Sequence, residues 1–169
     1  MKKALIVIDM QKDFIDGSLE NREAQNIVNN VINYIKEAKE QNIDIIYTMD
    51  THTDDYLTTV EGTKLPVVHC IKNTDGWKLA EGIYQGGIIF EKPTFGSTEL
   101  ANYLKDNHYD DLTFIGVCTD ICVVSNVILA KAYLPNAHIT VIKDLCAGTT
   151  ISNHNDALTT MANCHIDIK

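Results

Sequence analysis

The sequence is short of positive charge. Its 169 residues carry 14 Lys+Arg against 23 Asp+Glu, a formal net charge of −9. An acidic chain offers no electrostatic footprint for nucleic acid or for an anionic membrane surface. No apolar run approaches the ~20 residues that a spanning helix needs. The start, Lys2-Lys3-Ala4-Leu5-Ile6-Val7-Ile8, faintly imitates a secretion signal. The run stops at Asp9, short of the ~7–15 apolar residues of such a segment, and no small-residue cleavage site follows. Internal repeats, low-complexity tracts and linkers are absent. So is a glycine-rich phosphate loop after the first apolar run, where Asp9-Met10-Gln11-Lys12 stands instead. The cysteines, Cys70, Cys118, Cys122, Cys146 and Cys164, are odd in number, so a disulfide framework is not expected. The expectation is one cytoplasmic domain over residues 1–169, with no nucleic-acid or membrane partner.

What is present is an alternation. Hydrophobic residues make up 45% and charged residues 22%, values ordinary for a globular protein. Strand-length apolar runs occur at 3–8, 43–48, 87–90, 112–115 and 138–142, with a sixth candidate at 166–168. Helical spacing spans 21–41, where Ile27, Val31, Ile32, Ile35 and Ala38 share a stripe, and recurs near 97–106, 120–133 and 153–163. The pattern predicts an α/β fold: a doubly wound, mostly parallel sheet of about six strands, with helices on both faces. Residues 50–85 show no clear period, so they carry function or short elements of their own. In such folds ligands bind beyond the carboxyl ends of the strands. The sequence places Asp9, Asp50, Glu91, Lys92, Gly116 to Asp120 and Asp144 there.

Two groups of residues are chemically capable. Gly116-Val117-Cys118-Thr119-Asp120-Ile121-Cys122-Val123 leads from a strand into a helix. A helix start favours a thiolate and supplies N–H groups for an oxyanion. Asp9 and Lys92 are candidate base and cation. The competing reading makes Cys118 and Cys122 small buried hydrophobes. The second group is Asp50-Thr51-His52, whose alternate side chains point the same way in extended backbone. With Glu61 and His69 they suit a divalent transition metal such as Zn, Mn or Fe, against the alternative of a solvated polar loop. Asp120 is expected to cap or orient the helix that follows it. Asp144 and Cys146-Ala147-Gly148 are expected to support the site wall.

These patches together resemble the isochorismatase-like cysteine hydrolases, and among them the nicotinamidases, over nearly the whole chain. The run from Ala4 to Phe14 looks like the first strand with its catalytic aspartate, Asp9. Lys92 matches the catalytic lysine, and the nucleophile of the motif falls on Cys122, not Cys118. The resemblance implies a three-layer fold and a cis peptide at Val117–Cys118. It further implies an oxyanion hole from the backbone of Cys118 and Cys122. A metal held by Asp50, His52 and His69 follows too, with Glu61 similar to an extra carboxylate of some members; zinc is the first expectation. The implied reaction is hydrolysis of nicotinamide, or a close small amide, to acid and ammonia through a thioester, as in pyridine nucleotide salvage. The segment Pro93 to Thr98 is compact, and Leu65-Pro66-Val67-Val68 lacks an aromatic residue. Phe14 and Trp77 are therefore the candidates for stacking on substrate. Other readings are an amidase for a different small amide or carbamoyl compound, and a catalytically idle binding or assembly module. A homo-oligomer is the default expectation for a small enzyme.

Overall fold

In the computed structural model, which describes all of residues 1–169, the first apolar run forms strand β1, Lys3–Ile8. It is buried on both sides, as an unbroken apolar strand must be. A short helix α1 (Lys12–Ile15) and a long helix α2 (Arg22–Glu40) follow. Asn21 caps α2, accepting the N–H groups of Glu23 and Ala24. Strand β2 covers Asp44–Asp50. A 3₁₀ turn (Tyr56–Thr58) and helix α3 (Val60–Lys64) break up the region that has no period in sequence. Then come β3 (Ile88–Lys92), α4 (Thr98–Asp106) and β4 (Asp111–Val117). A single π turn (Thr119–Val123) runs into α5 (Val124–Tyr133). The chain closes with β5 (His138–Ala147), α6 (Ile151–Asn163) and β6 (Asp167–Ile168).

The strands pair in the order β3-β2-β1-β4-β5-β6, parallel throughout. The fold class expected from the alternation is the one observed. Alternation along β1 divides the core in two. Leu5 and Val7 pack with Val31 and Ile35 of α2 on one face. Ala4, Ile6 and Ile8 pack with Leu104, Val127 and Met161 of α4, α5 and α6 on the other. Winding reverses between β1 and β4, so a crevice opens at their carboxyl ends.

Strand ends differ from expectation in an informative way. β2 and β3 continue through Asp50 and Lys92, because the ladder pairs Met49 with Glu91 and Asp50 with Lys92. β5 runs five residues past the expected end at Ile142. Its pairing with β4 shifts register between Phe114 and Gly116, and Lys143 and Asp144 lie exposed on that stretch. Asp144 therefore sits within a strand rather than beyond one. No helix is long and apolar enough to cross a membrane.

Gly116 holds the β1–β4 contact close. Its φ is +116°, and a Cβ there would lie 2.1 Å from the Ile8 carbonyl oxygen. Gly116→Ala is expected to lower unfolding free energy by about 3 kcal/mol or more, from backbone strain and clash together. Urea titration followed by circular dichroism measures it.

Candidate active site

Three strand ends deliver charge to one point. Register sets Asp50 beside Lys92, and Asp9 follows β1 directly. Lys92 Nζ lies 2.6 Å from Asp9 Oδ2, 3.5 Å from Asp50 Oδ1 and 3.5 Å from Cys122 Sγ, and donates to the Thr94 carbonyl at 3.1 Å. Lys92 is 1% exposed and Asp9 0%. Burial opposes the Lys92 charge, but Asp9, Cys122 and Asp50 outweigh it and hold the ammonium protonated. Burial pushes the Asp9 carboxyl above the usual carboxylate range, against the pull of Lys92. Burial and the Asp9 charge also push the Cys122 thiol up, and Lys92 opposes them. Lys92 Nζ thus stands between the Asp9 carboxyl and the Cys122 thiol.

Backbone geometry aims these groups. Asp9 has φ +46°, and Thr48 Oγ1 donates to its Oδ1 at 2.6 Å. The N–H groups of Ile121 and Val123 both close on the Cys118 carbonyl, at 3.0 and 3.1 Å, which wraps the π turn around Cys122. Asn126 Nδ2 donates to the Cys122 carbonyl at 2.8 Å. The Val117–Cys118 peptide is cis.

Beside this point Asp50, His52, Glu61 and His69 bring ligand atoms within 4.8 Å of one another. Asp50 Oδ2 lies 3.0 Å from His52 Nε2 and 3.4 Å from His69 Nε2. Glu61 Oε1 lies 3.7 and 3.8 Å from the same nitrogens. His69 Nδ1 is 2.8 Å from the Val67 carbonyl; donating there leaves Nε2 as the lone-pair nitrogen. A lone pair facing two carboxylates calls for a cation between them, so the donor set fits a divalent metal. Asp50 Oδ1 is buried without a hydrogen bond. Burial opposes its ionisation, yet His52, His69 and Lys92 hold the carboxyl well below its usual range. Tyr56 buttresses both imidazoles, its ring centroid 4.6 Å from His52 and 4.9 Å from His69.

A cavity of about 470 Å³ opens over both groups. Cys122, Cys118, Asp50, His69 and Glu61 reach it, together with Phe14, Leu65, Phe95 and Ile121. The family model described as the isochorismatase domain matches residues 3–168. The chain belongs to the isochorismatase family. A Bacillus subtilis protein described as an uncharacterised isochorismatase family protein, PncA, is 30% identical, with 96% of each chain covered. A nicotinamidase/pyrazinamidase of Mycobacterium tuberculosis is 26% identical over 98% of this chain and 97% of its own. The crystal structure of a Pyrococcus horikoshii pyrazinamidase in complex with zinc superposes with a TM-score of 0.89 at 27% identity, covering 100% of this chain and 99% of that one. The chain is accordingly an enzyme of a hydrolase family.

Within this isochorismatase-family site, Asp9, Lys92 and Cys122 are brought together, as are the four candidate metal ligands. Phe14 lines the cavity, its ring 5.6 Å from His69. Trp77 does not line it: the indole N–H donates to Thr51 Oγ1 at 2.9 Å, which holds the ring against the wall of the loop region. Asp120 does not cap α5. Its carboxylate accepts the Thr149 N–H at 2.8 Å and the Thr149 hydroxyl, tying the π turn to the loop before α6. Of the presumed wall residues, Gly148 accepts from Asn21 Nδ2 at 2.8 Å, whereas Asp144 is exposed.

Sequence reasoning missed the residues that hold the site: Thr48, Asn126, Tyr56 and above all Gln11. Gln11 is fully buried. Its Nε2 donates to the carbonyls of Asp50 and Trp77, each at 2.8 Å, and its Oε1 accepts the Asp50 N–H at 2.7 Å. A glutamine two residues after the aspartate that follows the first strand was the available signal. Gln11→Leu strands these buried backbone groups, at about 1–3 kcal/mol for a group left unpaired. We expect a loss of at least about 2 kcal/mol by the same urea titration, accompanied by loss of enzymatic turnover.

Proposed function

We propose that this enzyme is a cysteine amidase that hydrolyses nicotinamide or a close small amide to the acid and ammonia. The observation that carries the reading is Lys92 Nζ standing 2.6 Å from Asp9 Oδ2 and 3.5 Å from Cys122 Sγ, at the sheet's switch point. Asp9 takes the Cys122 thiol proton as the sulfur attacks the amide carbonyl. Lys92 remains charged and favours the thiolate. The backbone N–H groups of Cys118 and Cys122 face the oxyanion; one such donor is typically worth ~10²–10³ in rate. The tetrahedral intermediate collapses, the C–N bond breaks, and Asp9 returns the proton to the departing ammonia. Water then attacks the thioester with Asp9 again as base, which frees the acid and restores the thiol. A carboxyl raised by burial suits a group that must take and give the same proton.

Asp50, His52 and His69, with Glu61 beside them, are the residues that would hold a divalent metal, zinc by the likeness to the P. horikoshii structure. Bound there, such an ion would accept the ring nitrogen of a pyridine carboxamide and fix the ring's orientation, a positioning role. Phe14 offers one face for that ring, and Leu65, Phe95 and Ile121 supply apolar walls.

The test is ammonia release from nicotinamide. Cys122→Ala should lower kcat by about 10⁴-fold or more, whereas Cys118→Ala, which keeps its backbone N–H, should stay within about tenfold of wild type. An inactive Cys118→Ala beside an active Cys122→Ala would refute the choice of nucleophile. His52→Ala should lose metal by elemental analysis and raise KM more than it lowers kcat. Retained metal stoichiometry would remove His52 from the ligand set.

A further inference from the structure

The cavity is wider than the reaction just proposed requires. At about 470 Å³ it lies in the range that holds a drug-sized ligand, and a single ring bearing a carboxamide leaves part of it unfilled. Leu19, Glu20, Asn21 and Arg22, where the chain enters α2, line it as well. Arg22 is the one arginine in the sequence. It joins none of the chain's ion pairs and donates none of its side-chain hydrogen bonds. Its position also argues against a structural role. It is the first residue of a 19-residue helix, where the macrodipole disfavours a cation by ~0.3–1 kcal/mol. The cation that belongs to the chemistry, Lys92, is already engaged by Asp9, Asp50 and Cys122.

We infer that Arg22 is a specificity-determining residue that receives an anionic substituent on the substrate. The preferred amide would carry a carboxylate, or a group of like charge, at a second ring position apart from its carboxamide. A guanidinium fork matches a carboxylate with two parallel N–H···O bonds, which an ammonium cannot do. Glu20 shares the rim without pairing to Arg22, so a cationic substituent is the alternative that the experiment must separate. This inference deepens the amidase reading of the same cavity and rests on it for the substrate class.

Binding of the product acids tests Arg22 without turnover. Nicotinate, pyridine-3,5-dicarboxylate and 5-(aminomethyl)nicotinate are titrated calorimetrically into the wild type and Arg22→Ala at low salt. The dicarboxylate is expected to bind the wild type at least about fivefold more tightly than nicotinate, as a charge-assisted pair at an exposed rim allows. Arg22→Ala should erase that ratio, Arg22→Lys should keep only part of it, and added salt should shrink it. The melting temperature of Arg22→Ala should hold or rise, since the variant removes a cation from a helix start. Equal ratios in wild type and Arg22→Ala overturn the inference. So does tighter binding of the aminomethyl acid, binding of none of the acids, or a melting temperature that falls with all affinities. Ammonia release from nicotinamide and from 5-carbamoylnicotinate is measured beside it. If neither amide is hydrolysed while the Arg22-dependent ratio survives, the amidase substrate is wrong and the anion subsite stands. If nicotinamide is hydrolysed and the ratio is absent, only the subsite falls.

Discussion

An ammonium taken out of water costs several kcal/mol unless fixed charges replace its hydration, and Lys92 is 1% exposed. Two carboxylates, Asp9 and Asp50, supply that replacement. Each of them must in turn be held, which explains much of the surrounding architecture. Thr48 fixes Asp9, and Gln11 fixes the backbone of Asp50. The parallel register of β2 and β3 sets Asp50 and Lys92 side by side. Removing either carboxylate would leave a buried charge uncompensated, so the site cannot be separated from the packing that surrounds it.

The same cluster links the two chemical centres. Asp50 Oδ1 faces Lys92, while Oδ2 faces His52 and His69. One side chain therefore belongs both to the thiol's electrostatic surroundings and to the candidate metal group. Tyr56 and Phe14 flank His69 from two sides, so the imidazole that meets the cavity is oriented by aromatic packing as well as by the Val67 carbonyl. Ring orientation is then a property of the folded loop region.

Periodicity revealed the sheet, its helices and their two-sided arrangement, because apolar alternation is written locally in the chain. Strand ends were legible to within a few residues, except for β5. There Lys143 and Asp144 interrupt the apolar pattern, while the ladder continues past a register shift that no single strand's sequence encodes. Asp9, Lys92 and Cys122 were legible from their places just at or beyond strand ends and from the family motif. In sequence a lone tryptophan near polar residues reads equally as wall or as ligand contact; in the structure Trp77 is not among the cavity-lining residues, and its indole N–H is on Thr51 Oγ1. Gln11 and Thr48 act on groups 39 residues away in sequence, on Asp50 and Asp9, so the spacing of the chain alone does not pair them with their partners.

The strand order has a consequence for how the chain acquires its chemistry. Asp9 and Cys122 lie more than a hundred residues apart, yet they meet because β4 docks directly against β1, after β2 and β3 have extended the sheet the other way. Closing so long a loop is an entropic cost met before any contact rewards it, and parallel pairing of this kind folds slowly. During synthesis, the half that holds β1, β2 and β3 emerges with its lysine and both carboxylates but without its thiol. The Cys122 sulfur joins the charged cluster only when β4 pairs with β1, so the full set of groups assembles late and all at once.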